Sequence, residues 1–255
     1  MPDTDDRVAL ITGAGSGIGL ATARLLAAGG QTVVLVGRRA ELLDEAAAAI
    51  TAGGGAALAL TADLAERDAP SRIVAEVMER TGRLDVLVNN AASYKLRDVA
   101  ELTLDDFDDH MAVNLRAPYF LVQAALPALR ASPAAVVVNV SSAAAIMYRR
   151  GQTVYGLTKA ALEHLTMNLA AELAPDGIRV VAVRPGPVAT KLHARAVADP
   201  EARLRAIAAM VPLGRLGTPE EVARWIGHLV HPQAAWVTGT VISVDGGRVL
   251  GAPGV

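Results

Sequence analysis

The sequence has no cysteine among its 255 residues, and aromatic side chains make up only 3% of it. Without cysteine, disulfides, thiolate nucleophiles and cysteine-ligated metals are excluded. Because hydrophobic residues still make up 52% of the chain, the scarcity of aromatics predicts an aliphatic core. Lysine is also rare, and Lys95, Lys159 and Lys191 are the only three. A lysine that falls within a motif is therefore of particular interest.

The chain has neither a strong net charge nor a long apolar run, and we expect no secretory leader. Its formal net charge is −2, and no concentrated basic face that would bind nucleic acid is apparent. No run approaches the roughly 18 uninterrupted apolar residues of a membrane-spanning helix. Residues 1–6 are acidic, unlike the basic start of a signal peptide. We therefore expect a soluble cytoplasmic enzyme whose partner is a small molecule, with no nucleic-acid or membrane partner.

Short apolar segments rich in β-branched residues alternate with longer helical patterns. The predicted strands are residues 8–12, 32–36, 56–61, 84–88, 135–140, 178–183 and 241–244, and the predicted helices are 17–28, 39–52, 66–80, 104–131, 153–174 and 219–229. This alternation is typical of an α/β fold with a doubly wound parallel sheet of the Rossmann type, about seven strands with helices on both faces. We expect a single domain over 1–255, in which a helical insertion at 191–211 is a candidate substrate lid.

A glycine-rich loop lies between the first predicted strand and the first predicted helix. It reads Thr12-Gly13-Ala14-Gly15-Ser16-Gly17-Ile18-Gly19. Glycines allow the backbone to turn tightly and to approach a pyrophosphate, and the helix N-terminus supplies N–H donors. The strict GxGxxG spacing fails, since Ile18 stands where its third glycine would be. The observed spacing, T-G-x-x-x-G-x-G, resembles that of the short-chain dehydrogenase/reductase family.

Tyr155 and Lys159 are the second motif. Spaced i and i+4 in a predicted helix, they share one helix face. An ammonium beside a phenol favours the phenolate, so we expect the pKa of Tyr155 to be lowered from its usual value of about 10. A tyrosine tuned in this way can give a proton to a carbonyl oxygen or take one from an alcohol. Alone, the pattern also describes an ordinary pair of surface residues.

The resemblance to the family extends to further residues, which occur in the family's order along the chain. Together the matches span residues 8 to 247. The resemblance implies that Ser142, at the end of the fifth strand, holds the substrate oxygen near Tyr155, and that Asn114 holds a water linking Lys159 to solvent. It also implies cofactor contacts over much of the chain. The residues assigned to the cofactor are Gly13, Ser16, Gly17, Ile18, Gly19, Arg38, Arg39, Asp63, Leu64, Asn90, Tyr155, Lys159, Pro185, Gly186, Val188 and Thr190. Ala92 departs from the family, which prefers glycine there.

The end of the second strand bears on the choice of cofactor. An acidic side chain there would hydrogen-bond the ribose 2′-hydroxyl of NAD and repel a 2′-phosphate. This chain has Arg38 and Arg39 instead, with no acid before Glu41. Two arginines can bind a 2′-phosphate, so the sequence favours NADP(H) over NAD(H) and, with it, carbonyl reduction. The alternative is that both arginines are simply solvated, and the neutral Ser16 gives no further support.

By resemblance, the substrate lies among residues that predict a compact apolar pocket. They are Tyr94, Ala144, Met147, Val188, His193 and Met210. Arg149 and Arg150 precede the catalytic helix and can hold a carboxylate or an acyl-carrier phosphate, or can be solvated. His228 and His231 have no apparent third ligand, so no metal site is expected.

The family resemblance implies a homotetramer or homodimer, built through the two long helices and the last strand. Three other functions stay open. The first is an NAD-dependent alcohol dehydrogenase of the same fold, the second a dehydratase or epimerase that borrows the cofactor, and the third a non-catalytic dinucleotide-binding regulator. Intact Asn114, Ser142, Tyr155 and Lys159 argue against the regulator, because a sensor has no need of a proton relay.

Overall fold

The computed structural model describes residues 6–190 and 200–251. Its seven strands are β1 (Val8–Thr12), β2 (Thr32–Gly37), β3 (Ala56–Thr61), β4 (Val86–Asn89), β5 (Val136–Val140), β6 (Arg179–Pro185) and β7 (Val241–Val244). They form one parallel sheet in the order β3-β2-β1-β4-β5-β6-β7. All seven predicted strands are present, which confirms the doubly wound α/β architecture.

Helices cover both faces of this sheet. They are α1 (Gly17–Ala28), α2 (Ala40–Ala52), α3 (Ala69–Thr81), α4 (Leu104–Met111), α5 (Ala117–Ala131), α6 (Thr153–Leu173), α7 (Pro200–Ala208) and α8 (Pro219–Val230). One face packs against α3, α5 and α6, and the other against α1, α2 and α8. Among the described residues, no helix has the length and apolar character needed to cross a membrane.

The strands are apolar along their whole length because each side chain enters one of two cores. In β1 all five residues are buried. Leu10 lies opposite Val34 of β2, and Ile11 lies opposite Leu35. Leu10 and Val34 belong to the core on one face, whereas Ile11 and Leu35 belong to the core on the other. Alternation of side chains along a strand thus turns continuous apolar runs into two helix-covered layers.

The structure differs from the predicted boundaries mainly at two helices. The helix predicted at 66–80 begins only at Ala69, because the Asp63 carboxylate accepts a hydrogen bond from the Ala65 N–H at 2.9 Å and holds a turn before it. The helix predicted at 104–131 is interrupted by a π-helical turn over Ala112–Arg116. Of the predicted insertion at 191–211, residues 191–199 lie outside the described part, and α7 occupies most of the remainder.

Strand order reverses between β1 and β4, and this reversal positions the site. From β1 the chain builds outward through β2 and β3, then returns to add β4 on the other side. In open parallel sheets a crevice forms at such a switch point, beyond the carboxyl ends of the strands. The glycine loop follows β1 and Asn90 follows β4, so both lie at this crevice.

Candidate active site

The loop after β1 turns tightly at two positions, Gly13 and Gly19, where any side chain would collide with neighbouring atoms. Gly13 adopts a left-handed conformation with φ of 67°, and a Cβ atom there would lie 2.9 Å from the Ala91 Cα atom. A Cβ atom on Gly19 would lie 2.5 Å from the Gly13 carbonyl oxygen. Carbon atoms pack at about 3.5–4.0 Å, so only glycine fits either position.

Thr12 and Asn90 hold this loop against the end of β4. The Thr12 hydroxyl accepts hydrogen bonds from the N–H groups of Asn90 and Ala91, both at 3.0 Å. The Asn90 amide donates to the Thr12 carbonyl at 2.8 Å and to the Gly13 carbonyl at 3.3 Å. Asn90, predicted as a cofactor contact, lines the cleft and also fixes the shape of the glycine loop.

The first turn of α1 borders the cleft. Ser16 is the N-cap residue, but its side chain makes no capping hydrogen bond, and the first turn carries no acidic side chain. Ser16, Gly17 and Ile18 all line the cleft. Since unpaired N–H groups and a partial positive charge mark the start of a helix, this turn is suited to a pyrophosphate.

Arg38 and Arg39 follow β2 at the edge of the same cleft. Both side chains are exposed and line it. Arg39 is also the N-cap residue of α2 and makes no side-chain capping bond. A cation at a helix N-terminus is mildly unfavourable on its own, and a bound anion would reverse that. The pair is therefore placed where it can meet a negatively charged group at the end of β2.

The cleft is large enough for a dinucleotide and a small second molecule. Its volume is about 1460 Å³, against the roughly 300–1,000 Å³ of common ligand pockets. Gly19, predicted to contact the cofactor, is buried and does not line the cleft. The other predicted cofactor residues line the cleft, namely Asp63, Leu64, Pro185, Gly186, Val188 and Thr190. A glycine cradle, a helix N-terminus and two arginines together fit a nicotinamide dinucleotide.

Ser142, Tyr155 and Lys159 meet beside the end of β5. The Ser142 hydroxyl lies near enough to the Tyr155 phenol to lower its pKa, and it accepts a hydrogen bond from the Ala144 N–H at 3.2 Å. The Lys159 Nζ atom lies 5.9 Å from the centroid of the Tyr155 ring. Lys159 is 2% exposed and donates to the Val140 carbonyl oxygen at 2.8 Å. The structure thus brings three of the four predicted catalytic side chains into one group.

Burial reverses the expected change in the Tyr155 pKa. Loss of water around the phenol raises its pKa to about 12, although the neighbouring Ser142 hydroxyl acts to lower it. Burial also lowers the pKa of the Lys159 ammonium to about 8, while the charge of Glu163 opposes that change. The prediction of a lowered phenol pKa is wrong for this structure, because desolvation outweighs an ammonium that is bonded to a backbone carbonyl. At neutral pH Tyr155 is a neutral phenol, which is the form that donates a proton.

Asn114, the fourth predicted catalytic residue, lies in the π-helical turn between α4 and α5. Its amide oxygen accepts a hydrogen bond from the Ser93 N–H at 2.7 Å. Its amide nitrogen donates to the Ser93 carbonyl at 3.0 Å and to the Thr158 hydroxyl at 3.1 Å. Single π turns within helices are frequent at functional sites, and this one ties the loop after β4 to α6 beside Tyr155. The water-holding role of Asn114 stays a prediction.

Tyr94 packs against Tyr155. The Tyr94 and Tyr155 rings meet edge to face, with centroids 4.8 Å apart and planes at 84°. The Gln152 amide donates to the Tyr94 hydroxyl at 2.8 Å and fixes its position. His193 lies outside the described residues. The other predicted substrate residues, Tyr94, Ala144, Met147, Val188 and Met210, all line the cleft.

The adjacent side chains of Arg149 and Arg150 have different surroundings in the structure. Arg150 forms an ion pair with Asp98, in which its Nε atom lies 2.8 Å from Oδ2. Arg149 is exposed and lines the cleft. An anionic group in the cleft can therefore reach Arg149, whereas Arg150 is engaged by a carboxylate of the protein.

Sequence reasoning missed Glu163, which follows Lys159 on α6, and its ion-pair partner Arg184. Glu163 lies one helical turn further along α6 and is 7% exposed, and it forms an ion pair with Arg184 of β6. The i, i+4 spacing that relates Tyr155 to Lys159 also relates Lys159 to Glu163, so that spacing could have identified Glu163. No comparable pattern marks Arg184, because its pairing depends on how α6 packs against the sheet.

The two histidines considered for a metal are engaged in local contacts. The His231 ring accepts a hydrogen bond from the Gln233 N–H at 3.2 Å, and the His228 ring packs edge to face on Trp225. Within residues 6–190 and 200–251, no group of three or more His, Asp or Glu side chains is arranged to hold a metal ion.

The known proteins that this chain resembles include several oxidoreductases. A family model described as enoyl-(acyl carrier protein) reductase matches residues 13–248. A 3-oxoacyl-(acyl-carrier-protein) reductase of Thermotoga maritima is 36% identical over 246 residues, which cover 96% of this chain and 99% of that protein. A short-chain dehydrogenase/reductase from Serratia marcescens superposes with a TM-score of 0.90 at 34% identity, covering 97% of this chain and 99% of the other. L-Sorbose reductase from Gluconobacter frateurii, complexed with NADPH and L-sorbose, gives a TM-score of 0.89 at 30% identity over 95% of this chain and 96% of its own.

Proposed function

Because the chain belongs to the short-chain dehydrogenase/reductase family, and is thus an oxidoreductase acting on CH–OH or C=O groups, we propose that it reduces a ketone or an aldehyde to an alcohol with NADPH. The observation that carries this proposal is a neutral, buried Tyr155 phenol beside Ser142 in a dinucleotide-sized cleft. A phenol that keeps its proton at neutral pH is prepared to protonate a carbonyl oxygen.

The choice of NADPH rests on the end of β2. Arg38 and Arg39 line the cleft there, and no acidic side chain precedes Glu41. Guanidinium groups bind phosphate through paired, charge-assisted hydrogen bonds. The L-sorbose reductase that resembles this chain was solved with NADPH. Cells usually keep NADP in its reduced form, which favours reduction over oxidation.

The residues around β5 divide the chemistry among themselves. When bound, the dinucleotide supplies a hydride to the carbonyl carbon. The Ser142 hydroxyl holds the carbonyl oxygen, and negative charge develops on that oxygen as the C=O double bond becomes single. The Tyr155 hydroxyl gives its proton to this oxygen. The charged Lys159 then stabilises the phenolate left on Tyr155 until a proton from solvent replaces the one transferred.

The substrate we favour is a compact ketone that places apolar groups against Tyr94 and Met147. Both line the cleft near Tyr155, and Met210 adds a third apolar surface. Arg149 adds a further exposed cation to the same cleft. A ketone that bears a carboxylate is therefore the second substrate class to examine.

The test is turnover of a panel of neutral and carboxylate-bearing ketones with NADPH or NADH. Turnover is monitored by the loss of reduced-cofactor absorbance, and the alcohol product is then identified. We expect reduction with a higher kcat/KM for NADPH. A higher kcat/KM for alcohol oxidation with NAD would instead favour an NAD-dependent alcohol dehydrogenase. Tight cofactor binding without turnover of any carbonyl or alcohol would favour a non-catalytic regulator.

We also infer that the chain forms a homodimer or homotetramer through α5, α6 and β7. Tyr119 and Phe120 on α5 are each 43% exposed, and Leu157 and Met167 on α6 are 54% and 47% exposed. β7 is an edge strand of the sheet, and edge strands can pair across an interface. Light scattering coupled to gel filtration should give a dimer or tetramer mass, and a monomer at micromolar concentration would contradict the inference.

A further inference from the structure

A buried ion pair lies directly behind the catalytic lysine. The Glu163 carboxylate accepts hydrogen bonds from Arg184, from Nε to Oε1 at 2.7 Å and from Nη2 to Oε2 at 2.6 Å. The two side chains are only 9% and 15% exposed. A charged pair with so little access to water is costly to bury and needs further hydrogen bonds to be tolerated. None of the steps of ketone reduction described above uses this pair.

Ser141 connects the ion pair to the catalytic group. Its hydroxyl donates to Glu163 Oε1 at 2.7 Å and lies 3.4 Å from the Lys159 carbonyl oxygen. Its backbone N–H donates to the Val183 carbonyl of β6 at 2.7 Å. Ser141 immediately precedes Ser142, so a contact that fixes the Ser141 side chain on one side of the backbone also fixes Ser142 towards the cleft.

The ion pair therefore joins the elements that carry the catalytic side chains. Lys159 and Glu163 are on α6, Ser141 follows β5, and Arg184 is near the end of β6. Arg184 also donates from Nη1 to the Ser243 hydroxyl of β7 at 3.1 Å. We call Ser141, Glu163 and Arg184 the carboxylate clip.

Among the described residues, Glu163 is the charged group that acts on the pKa of Lys159. Lys159 Nζ has the Val140 carbonyl as its hydrogen-bond acceptor and the Tyr155 ring at 5.9 Å. The negative charge of Glu163 raises the pKa of Lys159 and opposes the effect of burial. Arg184 balances that carboxylate, and Asp245, beyond β7, adds negative charge on the side of Arg184.

We propose that the carboxylate clip is a positioning device of the active site, which holds Lys159 and Ser142 in place and sets how readily the lysine ammonium keeps its charge. Glu163 and Arg184 do not touch the substrate or the reacting atoms, and they act through Lys159 and Ser142. The proposal rests on the proposed reductase function for its consequence in turnover. Its electrostatic part can be measured on the protein without any substrate.

The two halves of the clip predict opposite effects, which simple damage to the fold would not produce. Glu163→Gln removes the negative charge that raises the pKa of Lys159 and leaves the positive charge of Arg184 unbalanced, so the ammonium should lose its proton at lower pH. In Arg184→Met, Glu163 stays as an unbalanced negative charge, so the proton should be lost at higher pH. Lys159 and Glu163 are four residues apart on α6, a spacing that places Cβ atoms about 5–6 Å apart, and an uncompensated charge at such a distance shifts a pKa by about one unit or more. The double variant removes both charges and should titrate between the two single variants.

The readout is NMR titration of the protein with 13C-labelled lysine side chains, which is practical because the chain has only three lysines. Lys95, which is paired with Asp106 and Asp109, serves as an internal reference that should not move. Arg179→Met is the matched control, since Arg179 lies at the other end of β6 and donates to the Leu229 and Val237 carbonyls. It should leave the Lys159 titration unchanged.

Turnover gives the second readout on variants whose circular dichroism matches the wild-type protein. The high-pH limb of kcat/KM for ketone reduction should move down in Glu163→Gln and up in Arg184→Met, by about one pH unit, with kcat affected more than KM. Shifts in the same direction, or no shift of Lys159 in the NMR titration, would overturn the clip. If the variants show the opposite NMR shifts of Lys159 but the wild-type protein reduces no ketone, the result would contradict the proposed function alone.

Discussion

Replacing Arg38 with alanine should remove much of the preference for NADPH over NADH. A hydrogen bond to a charged group contributes about 1.5–3 kcal/mol. Arg38 is exposed, where solvent screens the charge, so we expect the lower end of that range, about 1.5 kcal/mol. That free energy corresponds to an approximately tenfold rise in the NADPH dissociation constant. NADH lacks the 2′-phosphate, and its dissociation constant should change by less than about twofold.

Fluorescence titration of both cofactors at low and high salt measures this effect directly. The wild-type preference should shrink as salt is added, because salt screens exposed charges. Arg38→Ala combined with Arg39→Ala should weaken NADPH binding by about a hundredfold if the two contributions add. Arg149→Ala is the control, since Arg149 lines the cleft on the substrate side. If Arg38→Ala leaves the ratio of the two dissociation constants unchanged, the reasoning from the end of β2 is refuted.

Three further predictions concern pH, stability and substrate charge. The kcat/KM for reduction should fall as pH rises through about 8, because Lys159 loses its proton above that pH; a profile that stays flat well beyond it would contradict the role of the ammonium. Asn114→Ala removes three hydrogen bonds of a fully buried side chain and should lower the free energy of unfolding in urea by about 2–4 kcal/mol. Asn168→Ala, at an exposed site, should change it by no more than about 0.5 kcal/mol. Arg149→Gln should lower kcat/KM about tenfold for a carboxylate-bearing ketone but not for its neutral analogue, whereas Arg150→Gln should affect neither; equal effects of the two variants would mean that Arg149 contacts no substrate anion.

The strands and the glycine loop were predictable because their signals are local. Continuous apolar runs such as 8–12 require cover on both faces of a sheet, and a loop as rich in glycine as 12–19 permits few backbone paths. The structure contains both the strands and the glycine loop where the sequence predicts them. Strand boundaries therefore differ from prediction by only one or two residues, as at β4, which begins at Val86 and ends at Asn89.

Features that depend on tertiary contacts were not predictable in this way. The π turn at Ala112–Arg116 leaves the hydrophobic pattern of the helix almost unchanged. In the folded chain this turn carries Asn114, which bonds to Ser93 in the loop after β4, a tertiary contact that the sequence pattern does not reveal. The direction of the Tyr155 pKa change depends on how completely the phenol is buried, which the spacing to Lys159 does not reveal. Spacing placed the two side chains on one helix face, and burial then determined their protonation.

The cytoplasmic location, the lid over 191–211 and the oligomeric state stay predictions. Of these, the lid bears most directly on the substrate, because α7 contributes Ile207 to the lining of the cleft. Its contribution can be measured by comparing KM for small and bulky ketones in an Ile207→Ala variant, which should gain relative activity on the bulky ones. An unchanged ratio would place α7 outside the substrate site.

The most direct test of the account is the single-turnover rate of hydride transfer in Tyr155→Phe. The variant keeps the ring but loses the proton donor, so NADPH should bind as it does to the wild-type protein. Ketone reduction should slow by about 10²–10⁴-fold, the usual contribution of general acid catalysis. A variant that binds NADPH normally and reduces the ketone at the wild-type rate would show that Tyr155 is not the acid and would contradict the proposed mechanism.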